Sequence, residues 1–236
     1  MVLDICAPIE SIPYALGTRD ELDETIALVE AQGQRGLAVV ADVRNLDEVT
    51  HAVRQTLETF GRLDIVVANA AVCPMFTEDH PDVWRDTLDV NVTGTHNTLI
   101  ATIPALINAG GGSIVMISSG LGLAGMATDN HGALAYIASK HAIIGLMRSY
   151  ANLLGKHWIR VNSVLPSGVA TPMIFNDAMS AFHGTLEPEV VKRNALPVEL
   201  MEPEDIANAV AWLVSDEGKM VTGATLAVDA GWLNFG

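Results

Sequence analysis

The sequence predicts a doubly wound α/β domain, a parallel sheet with helices on both faces. Short β-branched runs alternate with longer helical patterns along almost all of the 236 residues. That alternation calls for right-handed crossovers between parallel strands. In Asp64-Ile65-Val66-Val67-Ala68 the four residues after Asp64 are continuously apolar, as expected of a strand buried on both faces. Half of the residues are hydrophobic, with a positive mean hydropathy. This suffices for a large core and is too apolar for disorder. No repeat, low-complexity tract or linker breaks the chain, so residues 1–236 are expected to form one domain.

Taken in order, Val2 to Ile5 reads as a strand end, and Glu21 to Gln32 carries Leu22, Ile26 and Val29 at helical spacing. Leu37 to Ala41 is a strand candidate, and Leu46 to Phe60 a helix closed by Gly61. After the 64–68 strand, a long helical stretch runs from about Asp82 to Asn108 and ends in Gly110-Gly111-Gly112. The strand Ser113 to Ile117 follows, then a helix from Ala133 to His157 and the strand Ile159 to Leu165. The helix Pro203 to Ser215 and the strand Thr225 to Val228 complete the pattern.

Charge narrows the function classes. With 28 acidic against 13 basic residues and a formal charge of −15, the surface repels phosphate backbones and anionic lipid. Neither nucleic acid nor a membrane is expected as a partner. No apolar run approaches the roughly 20 residues needed to cross a bilayer, and no secretory signal is visible. Cys6 and Cys73 are the only cysteines, too few for a disulfide framework. The expectation is a soluble, reduced, cytoplasmic protein.

Ligands of such sheets sit beyond the carboxyl ends of the strands. Those positions hold Asp4, Asp42, Asn69, Ser118, Ser119 and the stretch Pro166 to Thr171. Polar residues also follow buried strands simply because the chain returns to water. In the next helix, Tyr136 and Lys140 stand four apart and so share a face. An ammonium there favours phenolate and is expected to lower the tyrosine pKa from about 10, giving a group able to exchange a proton. Taken alone, the pair is weak evidence, since Tyr and Lys four apart on a surface helix is usually packing plus solvation.

Its surroundings carry more information. Asn69-Ala70-Ala71, Asn91-Val92-Thr93-Gly94, Ile117-Ser118-Ser119, Tyr136-Ile137-Ala138-Ser139-Lys140 and Arg160-Val161-Asn162-Ser163-Val164 occur in that order. This set resembles the short-chain dehydrogenase/reductase family, from Val2 to the last strand. The resemblance implies a Rossmann-like sheet, with Tyr136 as catalytic acid/base and Lys140 lowering its pKa and holding the nicotinamide ribose. It implies that Ser119, three residues before Gly122, binds the substrate oxygen, and that Asn91 supports Lys140 through a water. Asp4 would bind the adenosine ribose and favour NAD over NADP, because a carboxylate repels a 2′-phosphate. Asp42 and Val43 would contact adenine, Asn69, Ala70 and Ala71 would flank the adenosine ribose, and Val169 and Thr171 would lie near the carboxamide and pyrophosphate.

Two features resemble a narrower, mycofactocin-associated subgroup that includes carveol-dehydrogenase-like enzymes. Asp4-Ile5-Cys6-Ala7-Pro8 opens a long insertion reaching Leu22, and 17 positions separate Ser119 from Tyr136, a longer spacing than the family usually has. The subgroup implies a hydrophobic, terpene-like secondary alcohol or ketone as substrate and mycofactocin as external electron acceptor. The wider family implies a homotetramer. The family opens with a strand, a Gly-rich turn and a helix, whereas this chain begins where the second strand should be. The sheet is therefore expected to lack its first βα unit and to leave two inner edges unpaired. This motivates an alternative, a catalytically silent binding or assembly subunit. The seven His show no metal spacing, and residues 173 to 201, with Met173, Ile174, Phe175, Met179 and Phe182, form a candidate lid over the substrate.

Overall fold

The computed structural model describes residues 1–75, 80–183 and 194–234. In chain order the elements are β1 (Val2–Asp4), α1 (Arg19–Ala31), β2 (Ala38–Val40), α2 (Leu46–Phe60) and β3 (Ile65–Ala68). Next come α3 (Val83–Leu88), α4 (Gly94–Asn108), β4 (Gly112–Ile117), α5 (His131–Leu154) and β5 (Ile159–Pro166). The described chain closes with α6 (Asp177–His183), α7 (Pro203–Val214) and β6 (Thr225–Val228).

Local chemistry explains the boundaries. Thr18 and Glu21 form a reciprocal capping box at the start of α1. The Asn45 side chain accepts from the Asp47 and Glu48 amides to open α2, and Gly61 ends that helix at φ 84°. A side chain is strained in that left-handed conformation, so glycine is the residue that terminates the helix without cost.

All strand pairing is parallel, and the strands form two sheets, β1-β2 and β3-β4-β5-β6. Among the described residues, β1 and β3 do not pair with each other. On one face of the larger sheet, Val66, Ala68, Ile114, Met116, Ile159 and Val161 pack against Leu99 and Leu106 of α4 and Ile143, Met147 and Leu154 of α5. On the other face, Val115 and Val164 meet Leu213 of α7, with Ile206, Val210 and Leu226 around them. A third cluster joins Leu3 and Ile5 near β1 to Ile9, Ile12, Tyr14, Val43, Val72 and Val90, and so ties the small sheet to the loop after β3.

Two expectations need correction. The 64–68 run is not buried on both faces, because Ile65 and Val67 are 47% and 43% exposed. Its apolar sequence reflects β propensity as well as burial; only Val66 and Ala68 face the packed helices. The 82–108 stretch is helical but not uniformly α, since a π-helical segment, Asp89–Thr93, separates α3 from α4. Such segments add a residue to the turn and often occur at functional sites.

Candidate active site

α5 carries the central groups. Tyr136, Ser139 and Lys140 all lie on its buried face, exposed by 8%, 0% and 2%. The Lys140 Nζ stands 5.4 Å from the Tyr136 ring centroid, as the four-residue spacing requires. It donates to the Ile117 carbonyl at the end of β4, at 3.0 Å. The helix can press close to the loop after β3 because residue 132 is glycine; a Cβ there would run into the Pro74 carbonyl oxygen.

The neighbouring serines diverge. Ser118 donates to the Lys140 carbonyl at 2.8 Å and ties β4 to α5. Ser119 opens a tight 3-10 turn at Gly120–Gly122, accepts from the Leu121 amide, and lies near enough to Tyr136 to favour its phenolate. The glycine at 122 is needed for space, since a Cβ would meet both the Ser118 hydroxyl and the Lys140 carbonyl.

Asn91 sits within the π-helical segment and is fully buried. Its Oδ1 accepts from the Val72 amide at 2.8 Å, while Nδ2 donates to the Val72 carbonyl at 2.9 Å and to Ser139 Oγ at 3.0 Å. An amide has two N–H donors, and both are spent on the loop after β3 and on α5. Direct support of Lys140 by this side chain is therefore not part of the geometry.

Electrostatics correct the expectation of an acidified tyrosine. Burial raises the Tyr136 phenol well above its ordinary value, with Cys73 adding to the rise and the Ser119 hydrogen bond opposing it. The Lys140 ammonium is itself lowered to about 8, by burial. Desolvation disfavours any charged form, phenolate and ammonium alike, and it outweighs the attraction that sequence spacing suggests. Around the phenol the wall is apolar, with Met75, Ala133 and Met179 buried and Leu121, Met173 and Ile174 packed against them. Of the lid candidates, Met173, Ile174 and Met179 thus reach the site, whereas Phe175 is 66% exposed. The Phe182 side chain and residues 184–193 lie outside the described residues.

The remaining sequence-predicted residues line the same edge of the strands. Asp4 closes β1, and its Oδ1 accepts from the Cys6 amide at 2.7 Å. Gly17 packs so close that a Cβ would lie 3.0 Å from that carboxylate oxygen. Asp42 is paired with Arg44 at 2.6 Å. Burial works to raise its carboxyl, but the hydrogen bonds from Arg44 outweigh burial and hold it below its ordinary value. The Val43 side chain is buried in the joining cluster rather than offered to solvent, while Asn69 and Ala70 are exposed and Ala71 is half-buried. Val169 and Thr171 are half-buried in the loop after β5, which bridges to Met201. Among the described residues no three His, Cys, Asp or Glu side chains gather as a metal site. Among the described residues no helix is long and apolar enough to cross a membrane.

Sequence reasoning missed Cys73, Tyr14 and Arg44. Cys73 joins the apolar wall at Tyr136, and the Tyr14 hydroxyl accepts from the Cys73 amide at 2.8 Å. They are 59 positions apart, and no periodicity links such a pair. Ser139 lay in view, one residue before Lys140.

Comparison with known proteins bears on the family and the fold. The family model described as enoyl-(acyl carrier protein) reductase matches residues 14–233. An uncharacterised oxidoreductase of Mycobacterium tuberculosis is 50% identical over 99% of this chain and 86% of its own length. The (−)-trans-carveol dehydrogenase of Rhodococcus erythropolis is 41% identical, over 98% of this chain and 87% of that protein. The crystal structure of carveol dehydrogenase from Mycobacterium avium in complex with NAD superposes with a TM-score of 0.91 at 41% identity, covering 98% of this chain and 87% of that one. With this sheet, these helices and relatives of such identity along nearly all its length, the chain belongs to the short-chain dehydrogenase/reductase family of oxidoreductases, close to its carveol dehydrogenase homologues.

Proposed function

We propose that the chain, residues 1–236 acting as one domain, is an NAD-dependent oxidoreductase interconverting a hydrophobic, terpene-like secondary alcohol and its ketone. The observation that carries this reading is the buried Tyr136 side chain, near Ser119 and the Lys140 ammonium and enclosed by Met75, Leu121, Met173, Ile174 and Met179. An apolar wall with two converging hydroxyls suits one polar oxygen on a greasy molecule.

NAD supplies or accepts the hydride when bound. The residues present fit it. An ammonium has three donors, and the hydrogen bond of Lys140 to Ile117 leaves two for a ribose. Asp4, Asp42, Val43, Asn69, Ala70, Ala71, Val169 and Thr171 are assigned to the rest of the cofactor, and Asp4 to the preference for NAD over NADP. Tyr136 holds the proton that a ketone oxygen takes on reduction, and its phenolate takes the alcohol proton on oxidation. Ser119 donates to the same oxygen and stabilises charge developing there. Because burial keeps the proton on Tyr136, reduction needs no prior deprotonation. Asn91 holds the loop that faces Tyr136 and is assigned the water-mediated support of Lys140. Exposed Ile100, Ile107 and Leu153 on α4 and α5 support a homotetramer paired through these helices. Mycofactocin as external electron acceptor and a cytoplasmic location belong to the same reading, by the family resemblance.

The test is turnover of (−)-trans-carveol with NAD, followed by NADH absorbance. Tyr136→Phe is expected to lose about 10²–10⁴-fold in kcat, the worth of a positioned acid/base, while calorimetry shows NADH binding retained. Unchanged turnover would overturn the reading. The unpaired β1 and β3 edges favour one second reading, a catalytically silent binding subunit. That reading would be supported by a folded wild-type chain that binds NADH without turnover of any secondary alcohol tried.

A further inference from the structure

Two groups at the site have no part in the chemistry above: the Cys73 thiol and the Tyr14 hydroxyl. Tyr14 belongs to the segment between β1 and α1, and its ring lies in the cluster that joins the small sheet to Val72 and Val90. Its hydroxyl is the acceptor for the Cys73 amide. Cys73 is 6% exposed and packs its side chain into the wall around Tyr136, where the thiol adds to the rise of the phenol. The residue before it, Val72, is gripped at both its amide and its carbonyl by Asn91. The stretch 72–73 is thus held from two sides, by Asn91 from the π-helical segment and by Tyr14 from the inserted segment. Loss of the Tyr14 hydroxyl would leave a buried amide unsatisfied and release one of the two anchors.

We propose that Tyr14 and Cys73 are positioning residues for Tyr136: the segment between β1 and α1 fixes the Cys73 backbone, and the Cys73 thiol fixes the Tyr136 hydroxyl against Ser119. The inference rests on the acid/base role assigned to Tyr136. Several observations make the thiol a fixed neutral partner rather than a nucleophile. It is enclosed by Met75, Ala133 and Met179, and burial pushes it up to about 12, so it stays protonated near neutral pH. The Tyr14 phenol is likewise raised by burial and stays neutral. The charged group acting on the thiol is Lys140, whose Nζ stands 5.4 Å from the Tyr136 ring centroid. Nothing in this arrangement titrates near pH 7 apart from the lysine at about 8.

The experiment is carbon NMR of the full chain with tyrosine labelled at Cζ, whose shift reports phenol hydrogen bonding. The chain has three tyrosines, so the Tyr136 resonance is assigned by its loss in Tyr136→Phe. Tyr14→Phe and Cys73→Ala are each expected to displace the Tyr136 resonance at pH 7, and Cys73→Ser, which keeps a hydrogen-bonding group, to restore most of it. With (−)-trans-carveol and NAD, Tyr14→Phe is expected to lower kcat between about tenfold and the ~10²-fold that a 1 Å misplacement costs, leaving KM for NAD within twofold, by about that margin, of wild type. A Tyr136 resonance unmoved in Tyr14→Phe overturns the proposal. If the wild type proves inactive, the acid/base reading fails while the NMR comparison still decides the positioning link. If Cys73→Ala does not fold, Tyr14→Phe and Cys73→Ser decide it.

Discussion

Around Tyr136 every group named for the chemistry is packed within the chain. Ser119, Tyr136, Lys140 and Asn91 are each at most 9% exposed, and their partners come from β4, α5 and the loop after β3. At the other end of the strand row, Asp4 and Asp42 are half-buried on a sheet of two short strands, and Asn69 and Ala70, just after β3 of the larger sheet, are exposed. The difference follows from what covers each region. α4, α5 and α7 sandwich the larger sheet, whereas the small sheet is tied to it through the cluster around Val43, Val72 and Tyr14. Acid–base groups need positions fixed to a fraction of an ångström, and the residues proposed for that role are fixed by the chain's own core. The residues proposed for a large polar ligand can stay in water, and such a ligand would supply their order.

The contrast can be broken with stability measurements. The largest effect is expected in the core under the catalytic groups. Leu99→Ala should cost about 2–5 kcal/mol, since Leu99 is fully buried against both β3 and β4. Leu3→Ala, at the half-buried β1, should cost under half as much in the same urea titration, and equal losses would mean that the two regions are one equally packed unit. Next in size is a cost that the site imposes on the fold. The Lys140 pKa is lowered in the folded state, to about 8 from 10.5. The unfolded chain therefore binds more protons between those values, and stability rises with pH through that window. Lys140→Met should raise the Tm at pH 7 by a few degrees, on the order of 2–6 °C, and the gain should shrink as pH passes from 8 to 10.5. A gain constant with pH would show that the lysine is not paying for burial. The smallest effect is expected on the open side. Asp4→Ala should relax the discrimination of NADH against NADPH by about tenfold in Kd, near the 1.4 kcal/mol of a lost charge-assisted contact, with little change in Tm. Unchanged selectivity would remove Asp4 from the cofactor assignment.

Much of this was legible in the chain. The boundaries of α2 and β6 read from sequence match the structure to the residue, because Gly61 and the short run Thr225 to Val228 after Gly223 are local signals. Of the two serines, Ser118 spends its hydroxyl on the Lys140 carbonyl. The open face of β3 was not legible, since Ile65 and Val67 carry the same composition as a doubly buried strand. Nor was the π-helical turn at Asn91, which gives up the 3.6-residue period in the middle of an otherwise regular pattern.

By itself the sequence determined the order of strands and helices, the shared helix face of Tyr136 and Lys140, and the placing of polar residues at strand ends. These rest on short-range geometry: a period of two or 3.6 residues, and the change from apolar run to turn. Only the tertiary structure decided the protonation balance, in which burial raises Tyr136 and lowers Lys140 although their spacing argues the reverse. It alone brought Tyr14, Cys73 and Tyr136 into line from three separate segments. Both outcomes depend on how much water and which distant atoms surround a group, and those quantities exist only once the layers are packed.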